Sequence, residues 1–142
     1  MKKLFGDLNS NIGSNVLMTA REDVSLLNSV LDDFRKMAMF EGYEIDSPES
    51  PGMDGDTPLH IAALQGDVNA VNVFLPHVKN INVTGGIGNT PLHYAVTRNH
   101  LKVAQILLKN GADINFKNDY DDSPADLMAG KAGFDELVFL EQ

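Results

Sequence analysis

Apolar residues recur along the chain at intervals of three and four, the spacing that places side chains on one face of an α-helix. Between Thr57 and Gly66 this pattern predicts a short helix, because Thr57 can cap it and Pro58 fits its first position. A second helix follows directly, and its inward positions are Val68, Val71, Phe74 and Leu75. The pattern therefore predicts a pair of short helices separated by the left-handed residue Gly66.

This helix pair is repeated at a fixed interval. The segment GDTPLHIAALQGD begins at Gly55, and GNTPLHYAVTRNH begins 33 positions later at Gly88. Another 33 positions lead to DDSPADLMAGKAG, which aligns Ser123 with Thr57 and Thr90. Because units this short cannot bury their apolar faces alone, we expect neighbouring units to stack and form a common core.

The interval, the two TPLH words and the segment GADIN at Gly111–Asn115 resemble the ankyrin repeat, whose signature is a period of 33 with T-P-L-H-x-A. The resemblance implies an all-α repeat solenoid, a stack of antiparallel helix pairs joined by β-turn or hairpin tips. It implies a single domain over residues 1–142, with repeats at 51–83 and 84–116. Residues 117–142 then form a C-terminal capping unit, in which Phe134, Leu137 and Leu140 dock on the second repeat.

Residues 1–50 are more divergent, and we expect N-terminal capping helices followed by a loop. Matching EDVSLLNSVL at Glu22 to GDVNAVNVFL at Gly66 requires an offset of 44, which makes this segment a degenerate first unit with extra residues before Pro51. The residues then predicted to face the next unit are Leu26, Leu27, Val30 and Leu31, with Phe34. An unrelated helix laid over the open end of the stack is the competing interpretation.

One departure from the repeat predicts a local change of shape. The segment LPHVKN at Leu75–Asn80 lacks the glycine found at Gly111, and Pro76 removes a backbone donor near the helix end. We expect a shortened helix and an altered bend after Leu75.

The glycine-rich segment Gly85–Gly88 raises an alternative, a phosphate-binding loop of an enzyme or nucleotide-binding regulator. The equivalent segments of the other units are GMDG and NDYD, which have different chemistry. A dinucleotide fingerprint also needs a long βαβ unit, whereas the helix predicted here is short. A turn between stacked helix pairs is therefore the preferred interpretation.

Composition narrows the classes of partner and site. Asp plus Glu total 20 and Lys plus Arg total 11, a net charge of −9 that disfavours nucleic acid and anionic membranes and suits a basic protein partner. The chain has no cysteine, which excludes disulfides and thiolate zinc sites. No secretory signal or membrane-length apolar run is evident, so we expect a cytoplasmic monomer; delivery into a host cell is compatible with the sequence.

The histidines and acidic residues that could catalyse a reaction or bind a metal have structural explanations. His60 and His93 belong to the TPLH words, where an imidazole can bond to the cap threonine and tie turns together. The acidic residues from Asp119 to Asp126 lack the spacing of a calcium loop. No metalloprotease or nucleophile motif is present, so we expect no enzymatic activity, metal or cofactor.

The resemblance implies a protein–protein interaction module that uses its concave face and turn tips, as a small acidic inhibitor, an immunity-type protein or an adaptor. A bacterial protein that engages host factors is equally compatible with the sequence. A structural role as one segment of a larger assembly is less compatible with it. Met53, Ile87 and Tyr120 stand out as large apolar residues at tip positions expected to be exposed. The predicted partner-binding residues are Met53, Asp54, Asp56, Leu64, Gln65, Gly86, Ile87, Asn89, Thr97, Arg98, Asp119, Tyr120, Asp122 and Lys131.

Overall fold

The computed structural model describes residues 21–140, with side chains described through Leu137. Helix α1 covers residues 21–35, followed by α2 (Pro58–Gln65), α3 (Val68–Phe74), α4 (Pro91–Thr97), α5 (Leu101–Lys109), α6 (Pro124–Met128) and α7 (Asp135–Leu140). Short 3-10 turns lie at Ala38–Phe40, Met53–Gly55, Leu75–His77 and Gly86–Gly88. No β-strand occurs among the described residues, so this part of the chain is an all-α solenoid.

The three inner helices α2, α4 and α6 begin with the same hydrogen-bonded cap. The hydroxyl groups of Thr57, Thr90 and Ser123 each accept a hydrogen bond from the backbone N–H three residues later, and proline occupies the next position. Helix α2 packs against α4, and α4 packs against α6. The predicted interval of 33 residues is thus confirmed by three equivalent helix starts.

The chain reverses after each of the first two inner helices through a residue in the left-handed region. Gly66 has φ 71° and Asn99 has φ 65°. Backbone bonds of 2.9 Å from Asp67 to Ala62 and 2.8 Å from His100 to Ala95 close the two reversals in the same way. The outer helices α3 and α5 then run back over the inner ones, and the core lies between the layers. The largest fully buried apolar side chains include Leu59, Val71, Phe74, Leu92, Val96, Val103 and Leu107.

The predicted shortening at Pro76 is confirmed. Helix α3 has 7 residues and gives way to the 3-10 turn Leu75–His77, whereas α5 has 9 residues. Proline lacks the N–H that would continue the α-helical ladder, so the last turn tightens instead.

Helix α1 packs on α3 along one narrow face. The ring of Phe34 meets that of Phe74 edge-on at 5.2 Å, and Leu27, Leu31 and Phe34 are buried. Leu26 also faces the next unit, because it lines a groove together with Asn72, Val73 and Pro76, although its side chain stays 50% exposed. It lies about 100° around the helix from Leu27, at the edge of the face that packs on the stack.

A short side-chain-capped turn also follows the repeat interval and begins before residue 51. The side-chain oxygens of Ser47, Asn80 and Asp113, spaced 33 residues apart, each accept a bond from the N–H two residues later, at 3.1, 3.0 and 2.9 Å. This periodicity favours a degenerate first unit over an unrelated helix. The degenerate first unit nevertheless stays a prediction. The extra residues then lie at 36–46, where Phe40 is buried.

The apolar residues of the C-terminal unit are buried as far as they are described, and their docking on the second repeat stays a prediction. Phe134 and Leu137 are 2% and 3% exposed, and Met128 of α6 is fully buried. The predicted contact of Leu140 lies outside the described side chains.

Candidate partner-binding surface

Each unit begins with a closed tip that the local sequence dictates. The N–H of Gly52 donates to the carbonyl of Asp56 at 2.8 Å, and Gly85 bonds to Asn89 in the same way at 2.8 Å. The third tip is closed by Asn118 and Asp122 at 2.9 Å. Left-handed residues turn each tip, namely Asp54 and Gly55, Ile87 and Gly88, and Asp121.

Side chains and backbone groups connect each tip to the next one. The carboxylate of Asp56 accepts the N–H of Gly86 at 2.9 Å and the hydroxyl of Tyr94 at 2.8 Å. Burial, and then the hydrogen bond to this carboxylate, raise the pKa of the Tyr94 hydroxyl above its ordinary value. We call this group of Asp56, Gly86 and Tyr94 the tip brace.

The second and third tips are joined by different groups. The N–H of Asp119 donates to the carbonyl of Ile87 at 2.9 Å, and the amide of Asn118 donates to Oδ1 of Asn89 at 2.9 Å. The three tips are therefore held in one fixed row, which we call the tip row: residues 52–56, 85–89 and 118–122.

The TPLH histidines have the structural role that the sequence predicts. Nδ1 of His60 accepts the N–H of Thr57 at 3.1 Å, and Nε2 donates to the carbonyl of Asn89 at 2.9 Å. His93 makes the same pair of bonds to Thr90 and to Asp122. Both rings are neutral in this arrangement, and burial lowers the pKa of each histidine.

In the third unit Asp126 replaces the histidine and performs the cap function with a carboxylate. Its Oδ2 accepts the N–H of Ser123 at 3.0 Å and the ammonium group of Lys117 at 3.1 Å. The backbone bond to Ser123, followed by the Lys117 contact, lowers the pKa of Asp126 to about 2. Asp126 therefore stabilises the start of α6 and is also part of the acidic surface predicted from the sequence.

The predicted anchors are exposed on the tip row. Met53 is 50% exposed, Ile87 47% and Tyr120 69%. Asp54 and Asp119 are also exposed, while Asp56, Gly86 and Asp122 are half-buried. The exception is Asn89, which is 9% exposed and accepts a hydrogen bond from Asn118, so it supports the tips; its contact with a partner stays a prediction.

The residues predicted on the inner helices, which we call the helix-end strip, lie at or just beyond the C-terminal ends of α2, α4 and α6. Gln65, Thr97 and Arg98 are exposed, whereas Leu64 and Lys131 are half-buried. The Lys131 ammonium group donates to Oδ1 of Asn99 at 2.9 Å, which joins the second and third units. Lys131 lies beyond the end of α6 at Met128, because that inner helix is shorter than α2 and α4.

The loop proposed as an alternative phosphate site has its amides engaged. The N–H of Gly85 donates to Asn89, that of Gly86 to the Asp56 carboxylate and that of Gly88 to Gly85. Since a phosphate loop needs free amides and a positive environment, these bonds and the Asp56 charge disfavour nucleotide binding. Within residues 21–140, no group of three or more histidine or acidic side chains could hold a metal ion.

A family model described as "Ankyrin repeats (3 copies)" matches residues 17–118, which is more than half of the chain. The chain belongs to the ankyrin repeat family. Ankyrin repeats are generally protein–protein interaction modules, and the family is typically non-enzymatic. No curated protein matches this ankyrin repeat chain. Among its described helices, none has the length and apolar character needed to cross a membrane.

Sequence reasoning did not identify Tyr94, which holds the first and second tips together through Asp56. Its hydroxyl position depends on the packing of α4 beside the first tip, and in the aligned first unit the same position is Ile61. The one signal in the sequence was this difference between units: Tyr94 carries a hydroxyl group, whereas the aligned Ile61 is aliphatic.

Proposed function

We propose that this ankyrin repeat protein binds a protein partner through the tip row and the helix-end strip. It works by occupancy alone, as a small acidic inhibitor, an immunity-type protein or an adaptor. The observation that carries this proposal is the exposure of Met53, Ile87 and Tyr120 on tips that hydrogen bonds hold in one row. Rigid apolar anchors within a polar surround are typical of binding hot spots.

The charge of this surface specifies the kind of partner. Asp54, Asp119 and Asp121 are exposed beside the anchors, and the whole chain carries −9. A basic partner surface fits this arrangement, with attraction acting chiefly on the rate of encounter. Binding is then expected to weaken as salt rises.

The test begins with the intact chain as bait in the source lysate, followed by affinity measurements with the purified partner. The decisive variant is the triple substitution Met53→Ala, Ile87→Ala and Tyr120→Ala. Its matched control replaces the three other large apolar residues that are exposed on the described chain, Val24, Leu26 and Tyr43, by alanine.

We expect the tip triple variant to lose at least about tenfold in affinity while its urea midpoint stays close to wild type. The control variant is expected to keep wild-type affinity. Unchanged affinity of the tip variant, or a loss confined to the control variant, would remove the tip row from the interface.

A further inference from the structure

We propose that a groove between the first and second tips receives an arginine side chain of the partner, with a neighbouring aliphatic residue of the partner packed on Ile87. This inference rests on the proposed function and specifies the chemistry of one part of the same surface. It concerns a single subsite, so it can fail while the tip row still binds a partner.

The groove lies open on the tip row and has a volume of about 440 Å³. It is lined by Asp54, Asp56, Gly86, Ile87, Asn89 and Tyr94. The lining has two carboxylates and no lysine or arginine; Gly86 and Tyr94 donate neutral hydrogen bonds to Asp56, so no cationic group of the lining neutralises the two charges. A group that enters here therefore meets both acidic acceptors and the apolar side chain of Ile87.

Ile87, which lines this groove, has a backbone conformation that β-branched residues rarely adopt. Its φ of 53° lies in the left-handed region, where β-branched residues are rare because the side chain crowds the backbone. The equivalent Asp54 has φ 61°, a conformation that aspartate tolerates far better. The Ile87 side chain is 47% exposed, so core packing does not account for a residue so poorly suited to this turn. Strain of this kind is typical of binding sites.

Arginine fits the groove better than other basic groups. A planar guanidinium can bond two carboxylates at once, and Asp54 and Asp56 line this groove together with Tyr94. The Tyr94 ring is itself held in place, edge-on to His60 at 5.5 Å and bonded to Asp56. The subsite is therefore preformed, which lowers the entropic cost of binding.

A defined pair of probes tests the subsite without knowledge of the partner. Acetyl-Leu-Arg-amide is titrated into the ¹⁵N-labelled chain and compared with acetyl-Leu-citrulline-amide, in which the side chain keeps its shape but has no charge. We expect amide shifts at Asp54–Asp56, at Gly86–Asn89 and at Tyr94. The arginine peptide is expected to bind up to about fivefold more tightly than the citrulline peptide, the size of a partly exposed ion pair.

Two matched substitutions separate the groove from general acidity. Asp54→Asn removes a charge from the groove, and Asp121→Asn removes one from an equally left-handed, exposed aspartate at φ 65° on the third tip. Both backbones tolerate asparagine. We expect the first variant to reduce the preference for arginine over citrulline, since Asp56 remains, and the second to keep the wild-type preference, while Ile87→Ala weakens both peptides.

The inference is overturned if neither peptide shifts the groove amides, if citrulline binds as well as arginine, or if both aspartate variants behave alike. Any of these results leaves the proposed function standing as long as the tip triple variant still loses its partner. Failure of the proposed function would instead be indicated by an unchanged affinity of the tip triple variant for the partner.

Discussion

The tip brace makes a quantitative prediction about the first and second tips. Replacing Tyr94 by phenylalanine removes one hydroxyl and leaves the ring in place. That hydroxyl donates to Oδ1 of Asp56 at 2.8 Å and approaches Oδ2 at 3.0 Å, while Gly86 donates to the same carboxylate at 2.9 Å. The substitution therefore deletes one of the two groups that tie Asp56 to the second unit.

The size of the effect follows from the exposure of these groups. A hydrogen bond to a charged acceptor contributes about 1.5–3 kcal/mol, but water reaches these half-buried groups and replaces part of the loss. We expect Tyr94→Phe to lower the free energy of unfolding by about 1–2 kcal/mol and Asp56→Ala by about 2–3 kcal/mol. In a domain of this size, 1 kcal/mol lowers Tm by roughly 3–5 °C.

A double-mutant cycle measured by urea denaturation isolates the bond between the two side chains. Because the Tyr94 hydroxyl has no carboxylate to bond in the Asp56→Ala background, we expect a coupling energy of about 1 kcal/mol. The reasoning about the brace is refuted if the two losses add to within about 0.3 kcal/mol.

Other features of the fold make separate predictions. Burial lowers the folded-state pKa of His60 and His93 below 6.5, so the unfolded chain binds more protons than the folded chain below that pH. The histidine contribution to stability should therefore be fully present above pH 6.5. As the pH drops below 6.5, the free energy of unfolding should fall by up to about 1.4 kcal/mol per pH unit for each histidine. Urea midpoints that stay constant between pH 7.5 and 5.5 would contradict this. Gly66→Ala should cost about 2–3 kcal/mol, since the residue has φ 71° and a Cβ would overlap the His100 ring. The control Gly130→Ala, at φ 78° with open space around it, should cost only about 1 kcal/mol, and equal losses would argue against the His100 contact.

Much of the fold was predictable from the sequence because its determinants are local. The caps at Thr57, Thr90 and Ser123 depend on residues three positions apart, and the tightened turn at Pro76 depends on one missing N–H. The exposure of Met53 and its counterparts on the other tips follows from the same register.

What the sequence did not reveal depends on contacts between units. The side chain of Asn89 is buried and bonded to Asn118 in the next tip, and Leu26 stays half-exposed although it lies beside α3. The role of Tyr94 likewise depends on an acceptor 38 residues away. A repeat interval gives the position of each residue within its unit but not which neighbouring side chain it meets.

The most direct test of the central claim, that the tip row is the partner-binding surface, is hydrogen–deuterium exchange of the chain with and without its purified partner. The account predicts that binding slows exchange of amides at residues 53–56, 86–89 and 119–122 and leaves the exposed faces of α3 and α5 unchanged. Protection confined to the outer helices, with exchange at all three tips unaltered, would contradict it.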